Sequence, residues 1–374
     1  MISFLHTADW QIGKGFPQFE QDDAAALVEA RIQVVERLAT IAQERHADAV
    51  LVAGDVFDAQ TVSDKTIRRL FQAMRGFSGA WCLLPGNHDA ALTESVWSRA
   101  QRLEKLPESS DSFIFCLTPE AKTIAGKFTL LSAPLTQRHT HLDLTAWFNN
   151  AQSDERLPRI GFAHGAVQGI LPEGVDSNNP IAANRAQQAN LDYLALGDWH
   201  GTKQIDERTW YSGTPETDRF KNNDSGQALW VTLESAGAVP QVEIIQTGRY
   251  RWQQRAVTLS VPSDVDALAA ELEQLQKHDV WELRTQGTCD LHGRRQLEIA
   301  VEKAKANARA MVWNDSDLSL NPTEADLQAL HADGFIGEAL YDLRLQQQGN
   351  HADAVLARTA LLILARALVS TTLL

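Results

Sequence analysis

The chain has 374 residues, is 44% apolar and carries a formal net charge of −14. That length can bury a sizeable core and points to more than one domain. The acid excess weighs against a chain that grips nucleic acid by its own bulk charge, since such footprints are usually basic, although bound cations or a basic partner can offset carboxylates locally. Three distant cysteines, Cys82, Cys116 and Cys289, argue against both a disulfide framework and a cysteine zinc cluster. With no signal-peptide pattern ahead of the first strand, a reducing cytoplasm is expected. No uncharged run reaches the ~18–20 residues that span a bilayer; the most apolar segment, 359–374, is interrupted by Arg366.

From residue 1 to about 250 short apolar runs alternate with helical patterns, as in βα units around a sheet. Asp22–Gln43 reads as a helix with Leu27, Ala30, Val34, Leu38 and Ile41 on one stripe. Ser63 or Asp64 is placed to cap a helix running to Phe77, and Thr93–Lys105 is a third. Strands are expected at Phe128–Pro134, Ile160–His164, Tyr193–Gly197, Thr209–Ser212, Leu229–Leu233 and Val242–Gln246, giving a βαβ half followed by a more antiparallel sheet. The long polar stretch Gly165–Asn190 reads as a loop at the rim of a site. Beyond Tyr250, Val257–Val261 reads as a strand and Asp264–His278 as a helix. Trp281–Thr285 and Gln296–Val301 then complete a small α+β unit, and helices follow to about Ala332, over Ile336–Gln347 and over Ala352–Ser370.

Five apolar runs end in potential metal ligands. They are Phe4–Asp9, Ala49–Asp55, Trp81–Asp89, Ile160–His164 and Leu194–His200. Taken singly, residues such as Asp55, Asn87, His88 and Asp89 are turn-friendly and need no function. Five strands finishing alike are spokes on one ionic centre, because ligands bind outside the carboxyl ends of strands in open α/β sheets. Asp9, Asp55, Asn87, His164, Asp198 and His200 supply oxygen and imidazole donors that suit Mn, Fe, Zn or Mg. Such donors can hold a pair of ions about 3.5–4 Å apart, the arrangement that suits phosphoester hydrolysis.

In detail, His6-Thr7-Ala8-Asp9-Trp10, Gly54-Asp55-Val56-Phe57-Asp58, Gly86-Asn87-His88-Asp89, Tyr193-Leu194-Ala195-Leu196-Gly197 and Tyr211-Ser212-Gly213-Thr214-Pro215-Glu216 resemble the calcineurin-like metallophosphoesterases, in their SbcD-type DNA repair exonuclease branch. The resemblance is strong to about residue 220 and covers only the layout beyond. It implies a four-layer αββα sandwich over 1–253, a small α+β cap over 254–318 and a helical tail over 319–374 that docks on an SbcC-type coiled-coil ATPase. It places Asp9, Asp55 and His200 on a first divalent ion, and Asp55, Asn87 and His164 on a second. His88 becomes the acid or phosphate-steadying group, and Asp58 the residue that orients its ring. DNA is the implied substrate, with a homodimer through helices 22–43 or 63–77.

Two positions depart from the family pattern. Gln11 stands where a metal-binding His is usual, and Asp198 where the first His of Gly-His-x-His is usual. Gln11 is a weak ligand or a spectator, whereas Asp198 keeps the ligand count and shifts the centre towards manganese. Against the nuclease stand two alternatives, a phosphodiesterase for nucleotides or other small phosphoesters, and a scaffold that has lost its chemistry. Asp218-Arg219-Phe220 either returns to the metal rim or is an ordinary loop. Arg249, Arg251 and Arg255 around Trp252 form either a phosphate-binding face or an ion-pair face, and His139 and His141 are expected in a solvated loop.

Overall fold

The computed structural model describes residues 1–104, 112–169, 179–323, 326, 334–348 and 352–371. They fall into two compact units, Met1–Pro17 with Ala24–Arg249, and Gln18–Asp23 with Tyr250–Leu374.

The first unit is an αββα sandwich of two six-stranded sheets. One runs in the order Gln241–Gln246, Gln227–Leu233, Ile2–Thr7, Ala49–Val52, Ala80–Leu83, Phe113–Phe115. The other runs Lys203–Gln204, Thr209–Tyr211, Tyr193–Gly197, Arg159–His164, Phe128–Ala133, Glu120–Ile124. Alternation along each strand explains the layers. Phe4, Leu51, Cys82, Leu130, Phe162 and Ala195 fill the space between the sheets. Their neighbours Leu5, Val50, Val52, Trp81 and Leu83 face outwards onto Val35, Leu38, Ile67, Leu70 and Trp97 of the flanking helices. On the far side Leu131, Ala163, Leu194 and Leu196 pack with Phe148, Ala186 and Leu191. The inner strands therefore read as unbroken apolar runs because both of their faces are buried, as in Ala49–Val52 and Tyr193–Gly197.

The long helix is Gln21–Glu44, and Ser63 caps Asp64–Met74 by accepting from Thr66 N at 3.2 Å. That helix stops before Phe77, and the next begins at Val96 rather than Thr93. The expectation of a more antiparallel second sheet needs correcting. Its inner pairings, Phe128–Ala133 with Arg159–His164, Arg159–His164 with Tyr193–Gly197, and Tyr193–Gly197 with Thr209–Tyr211, are all parallel. Strands Gln227–Leu233 and Gln241–Gln246 return to the first sheet instead. Apolar periodicity locates a strand but not its direction; the long connections 134–158 and 165–192 are the crossovers that parallel pairing requires. Within Gly165–Asn190, Ala166–Val167 pairs with Pro180–Ile181 and Arg185–Gln188 is a short helix; residues 170–178 lie outside the described residues.

His6, on the first strand, ties the two sheets. Its Nε2 lies 3.2 Å from the Leu196 carbonyl and its Nδ1 3.0 Å from the Tyr193 hydroxyl. The carbonyl can only accept, so Nε2 carries the proton and Nδ1 accepts from the hydroxyl, a neutral ring fully satisfied. Burial pushes this imidazole down from 6.5 to about 3. The unfolded chain therefore takes up a proton that the fold refuses, and stability is lost as pH falls from 6.5 towards 3. The whole window represents on the order of 4–5 kcal/mol. Urea unfolding of His6→Asn should show a shallower acid loss between these limits than the parent; equal slopes would contradict it.

The second unit is a parallel three-stranded sheet, Arg251–Leu259, Asp279–Cys289 and Ala310–Leu320, with helical crossovers Pro262–Leu272 and Leu291–Asn307. Gln296–Val301 lies inside the second crossover helix, its apolar residues Leu297, Ala300 and Val301 buried at helical spacing. Helices Phe335–Gln346 and Ala352–Thr371 follow, and Leu340 and Leu361 join the apolar cluster of this unit. The helix expected up to Ala332 falls largely outside the described residues. Arg251 pairs with Asp279 at 2.9 Å and Arg255 with Glu271 at 3.1 Å, while Trp252 meets Phe19 edge-on, which favours the ion-pair reading of that cluster. Among the described residues no helix is long and apolar enough to cross a membrane.

Candidate metal centre

The strands Ile2–Thr7, Ala49–Val52, Ala80–Leu83, Arg159–His164 and Tyr193–Gly197 deliver their carboxyl ends to one place. There the backbone leaves ordinary territory. Asp9, Gln11, Asp55 and Asp198 have φ of 54°, 49°, 52° and 103°. Non-glycine residues in such conformations cost about 1–3 kcal/mol each and persist only where the surroundings fix them. Here the first two loops are zipped together: Asp9 N donates to Gly54 O at 3.0 Å, Gln11 N to Asp55 O at 2.9 Å and Asp58 N to Ile12 O at 3.0 Å. The buried Arg31 guanidinium adds bonds to Trp10 O at 2.7 Å, Asp9 O at 3.2 Å and Thr214 Oγ1 at 3.0 Å.

Asp9, Asp55 and His164 present ligand atoms within 4.8 Å of one another. His164 Nε2 stands 3.6 Å from Asp55 Oδ1 and 3.7 Å from Asp198 Oδ1. Its Nδ1 is 2.8 Å from the Ala53 carbonyl, so the proton sits on Nδ1 and Nε2 offers a lone pair inwards, the tautomer a metal requires. Asn87 Oδ1 lies 3.1 Å from that nitrogen and from both Asp55 oxygens. Such a meeting of lone pairs is satisfied either by the amide N–H, if turned inwards, or by a cation. The electrostatics agree. Burial pushes the Asp9 and Asp198 carboxyls up. Burial alone would lower His164, but Asp55, Asp9 and Asp198 override it and push the imidazole up to about 9. Without a metal, a proton on Nε2 therefore takes the place a cation would fill, and the lone pair is freed when a metal displaces it. The donor set thus fits a divalent metal.

The remaining candidates stand around this group. His88 N donates to Asp55 Oδ1 at 2.9 Å, and its ring, 34% exposed, places Nε2 4.0 Å from Asp55 Oδ2. Its Nδ1 is 2.9 Å from the main-chain carbonyl of Asp58, so the backbone of that residue, rather than the expected carboxylate, orients the ring. Gln11 Nε2 donates to Asp55 Oδ2 at 2.7 Å, and its Oε1 is buried without a partner. Asp198 N donates to Asp9 Oδ1 at 3.2 Å. His200 Nδ1 lies 3.3 Å from Asp218, so the Asp218-Arg219-Phe220 segment does return to the rim. His139 and His141 are exposed in a loop.

Two residues already named in the sequence take parts that their motifs did not specify. Asp89 is buried and accepts from Phe57 N at 3.0 Å and Gly86 N at 2.6 Å, locking two ligand loops together; the turn spacing from Gly86 was its only signal. Asp218 is held well below the usual carboxylate range against the pull of burial, because His200, Arg219 and Arg31 surround it. Nothing in its spacing announces that role.

The glycines leave room for these side chains. A Cβ at Gly197 would lie 1.9 Å from Ala53 O, and one at Gly86 would lie 2.2 Å from Asp55 Oδ1 and 2.5 Å from Asp55 N. Gly86→Ala should therefore displace Asp55, cost about 1–3 kcal/mol in urea unfolding and remove any stabilisation by added divalent metal. Parental stability and metal response in that variant would contradict this geometry.

Residues 2–225 match the calcineurin-like phosphoesterase family, and the chain belongs to it. It is thus a metallophosphoesterase, a phosphoester hydrolase by class. Among curated proteins it is similar to the D subunit of the nuclease SbcCD from Escherichia coli strain K12, 26% identical over 318 residues that span 75% of this chain and 76% of that protein. It is 22% identical to the uncharacterized metallophosphoesterase YhaO of Bacillus subtilis strain 168, over 73% of this chain and 67% of that one. The corresponding D subunit of SbcCD from Rhodobacter capsulatus is 37% identical over 95 residues, 24% of this chain and 22% of that protein. These relatives agree with the SbcD-type branch drawn from the motifs.

Proposed function

We propose that the chain is a divalent-metal-dependent phosphodiesterase acting on DNA, the nuclease component of a cytoplasmic repair complex with an SbcC-type coiled-coil ATPase. The observation that carries the chemistry is the cluster of Asp9, Asp55 and His164, with Asn87 and Asp198 turned into it. The named relatives support the substrate and the partner. In this reading residues 1–253 carry catalysis, 254–318 form a capping domain and 319–374 the partner-binding tail, on whose last helix Val355, Leu356 and Ile363 are exposed.

Asp9, Asp55 and His200 would hold one ion, and Asp55, Asn87, His164 and Asp198 the other, with manganese favoured because oxygen donors predominate. What the ions supply when bound is polarisation of water and an offset to the charge developing on phosphorus oxygens. The chain does the rest. Asp55 turns both oxygens into the centre, Ala53 fixes the His164 tautomer, and Asp218 steadies His200. His88, its Nδ1 held by the Asp58 carbonyl, delivers a proton from Nε2 to the departing oxygen when in its imidazolium form.

The acidic balance leaves a small phosphodiester as the competing substrate. Wild-type protein with manganese should degrade linear duplex DNA and co-purify with a co-expressed SbcC-type ATPase. Turnover of bis(p-nitrophenyl) phosphate without DNA would overturn the substrate, turnover of neither would leave a scaffold, and absence of co-purification would remove the partner.

A further inference from the structure

Arg219 is not among the candidate ligands, yet its side chain reaches the centre and is anchored there from one edge only. Its Nε lies 3.0 Å from Asp218 Oδ1 and its Nη2 3.0 Å from Asp218 Oδ2, a fork-on-carboxylate pairing. Nη2 also lies 2.9 Å from His200 Nδ1 and 3.2 Å from its Nε2, so the guanidinium rests against the ring of that candidate ligand. Asp218 is itself buried and further braced by Lys14 Nζ at 3.1 Å. Among the described residues Nη1 makes no protein hydrogen bond, and the side chain is 46% exposed. A half-exposed cation locked along its Nε–Nη2 edge beside His200 is placed to meet an anion that arrives from outside.

Charge balance gives such an anion site a purpose. Three carboxylates, Asp9, Asp55 and Asp198, converge on the centre, where a phosphodiester must bring a further negative charge. A guanidinium that needs no reorganisation lowers that repulsion and stabilises charge on a non-bridging oxygen as the bond breaks.

We infer that Arg219, steadied by Asp218, is the phosphate-binding residue of this site and takes a non-bridging oxygen of the substrate phosphodiester. This rests on the phosphodiesterase reading above. The alternative is that Arg219 only braces His200, in which case its loss would be felt by the metal and not by the anion.

The test compares wild type with Arg219→Ala and Arg219→Lys, each loaded with manganese. Metal affinity is followed by thermal shift, anion affinity by inhibition with inorganic phosphate, and turnover with bis(p-nitrophenyl) phosphate. Arg219→Ala should bind manganese at least as tightly as wild type, because a cation beside His200 is gone, yet bind phosphate at least tenfold more weakly and lose about 10²–10³-fold in turnover. Added guanidinium chloride should restore part of that loss, whereas Arg219→Lys, lacking the fork, should recover little. Unchanged phosphate inhibition, or a loss of manganese affinity equal to the loss of turnover, would overturn the assignment. Failure of wild type to hydrolyse the diester would instead overturn the underlying reading.

Discussion

Asp55→Asn should abolish metal-dependent activity, by about 10³-fold or more, while leaving the metal-free protein within about 1 kcal/mol of wild type. Both oxygens of this carboxylate face the candidate ligands, with Asn87 3.1 Å from each. Its removal strips charge from both ion positions together. Without a cation, however, Asp55 stands among Asp9, Asp198 and the buried Asp89, whose carboxyl burial and Asp55 together push up. Neutralising it relieves that crowding, which offsets the weakened bonds from His88 N and Gln11 Nε2. The readout is thermal unfolding with and without manganese. Wild type should gain about 2.7 kcal/mol at a hundred times the dissociation constant, and the variant essentially nothing. A variant stabilised like wild type would remove Asp55 from the metal.

His88→Asn should cost about 10²–10⁴-fold in kcat on DNA and leave the manganese stabilisation intact. Its ring touches no ligand atom closely; Nε2 is 4.0 Å from Asp55 Oδ2 on a side chain 34% exposed. The size of the loss should depend on the leaving group. A deoxyribose alkoxide needs a proton as it departs, whereas p-nitrophenolate does not, so bis(p-nitrophenyl) phosphate should suffer far less. Equal losses on both substrates would assign His88 to phosphate binding rather than to proton donation.

Much of this was legible in the chain because each signal had a single physical cause. Runs such as Ala49–Val52 and Tyr193–Gly197 are apolar on both faces, as strands sealed between a second sheet and helices must be. Polar groups at their ends can then be there only for a turn or a site, and five such ends narrowed the choice. Strand direction was not legible, since it is set by the crossovers and not by side-chain pattern. Gln296–Val301 misled because a six-residue apolar-rich window does not distinguish a strand from one and a half turns of buried helix. Within the site, motifs named residues but not atoms. Asp58 contributes its carbonyl and not its carboxylate, Gln11 turns an N–H towards Asp55, and Asp218 serves His200 from 18 residues away with no spacing rule to betray it.

Crystals grown in manganese chloride, with data collected at the manganese absorption edge, test the centre most directly. Anomalous peaks should lie at bonding distance from Asp55, Asn87, His164 and Asp198, and beside Asp9 and His200. A well-ordered structure with manganese bound elsewhere, and those side chains still hydrogen-bonded only to one another, would contradict the assignment of this cluster as the catalytic centre.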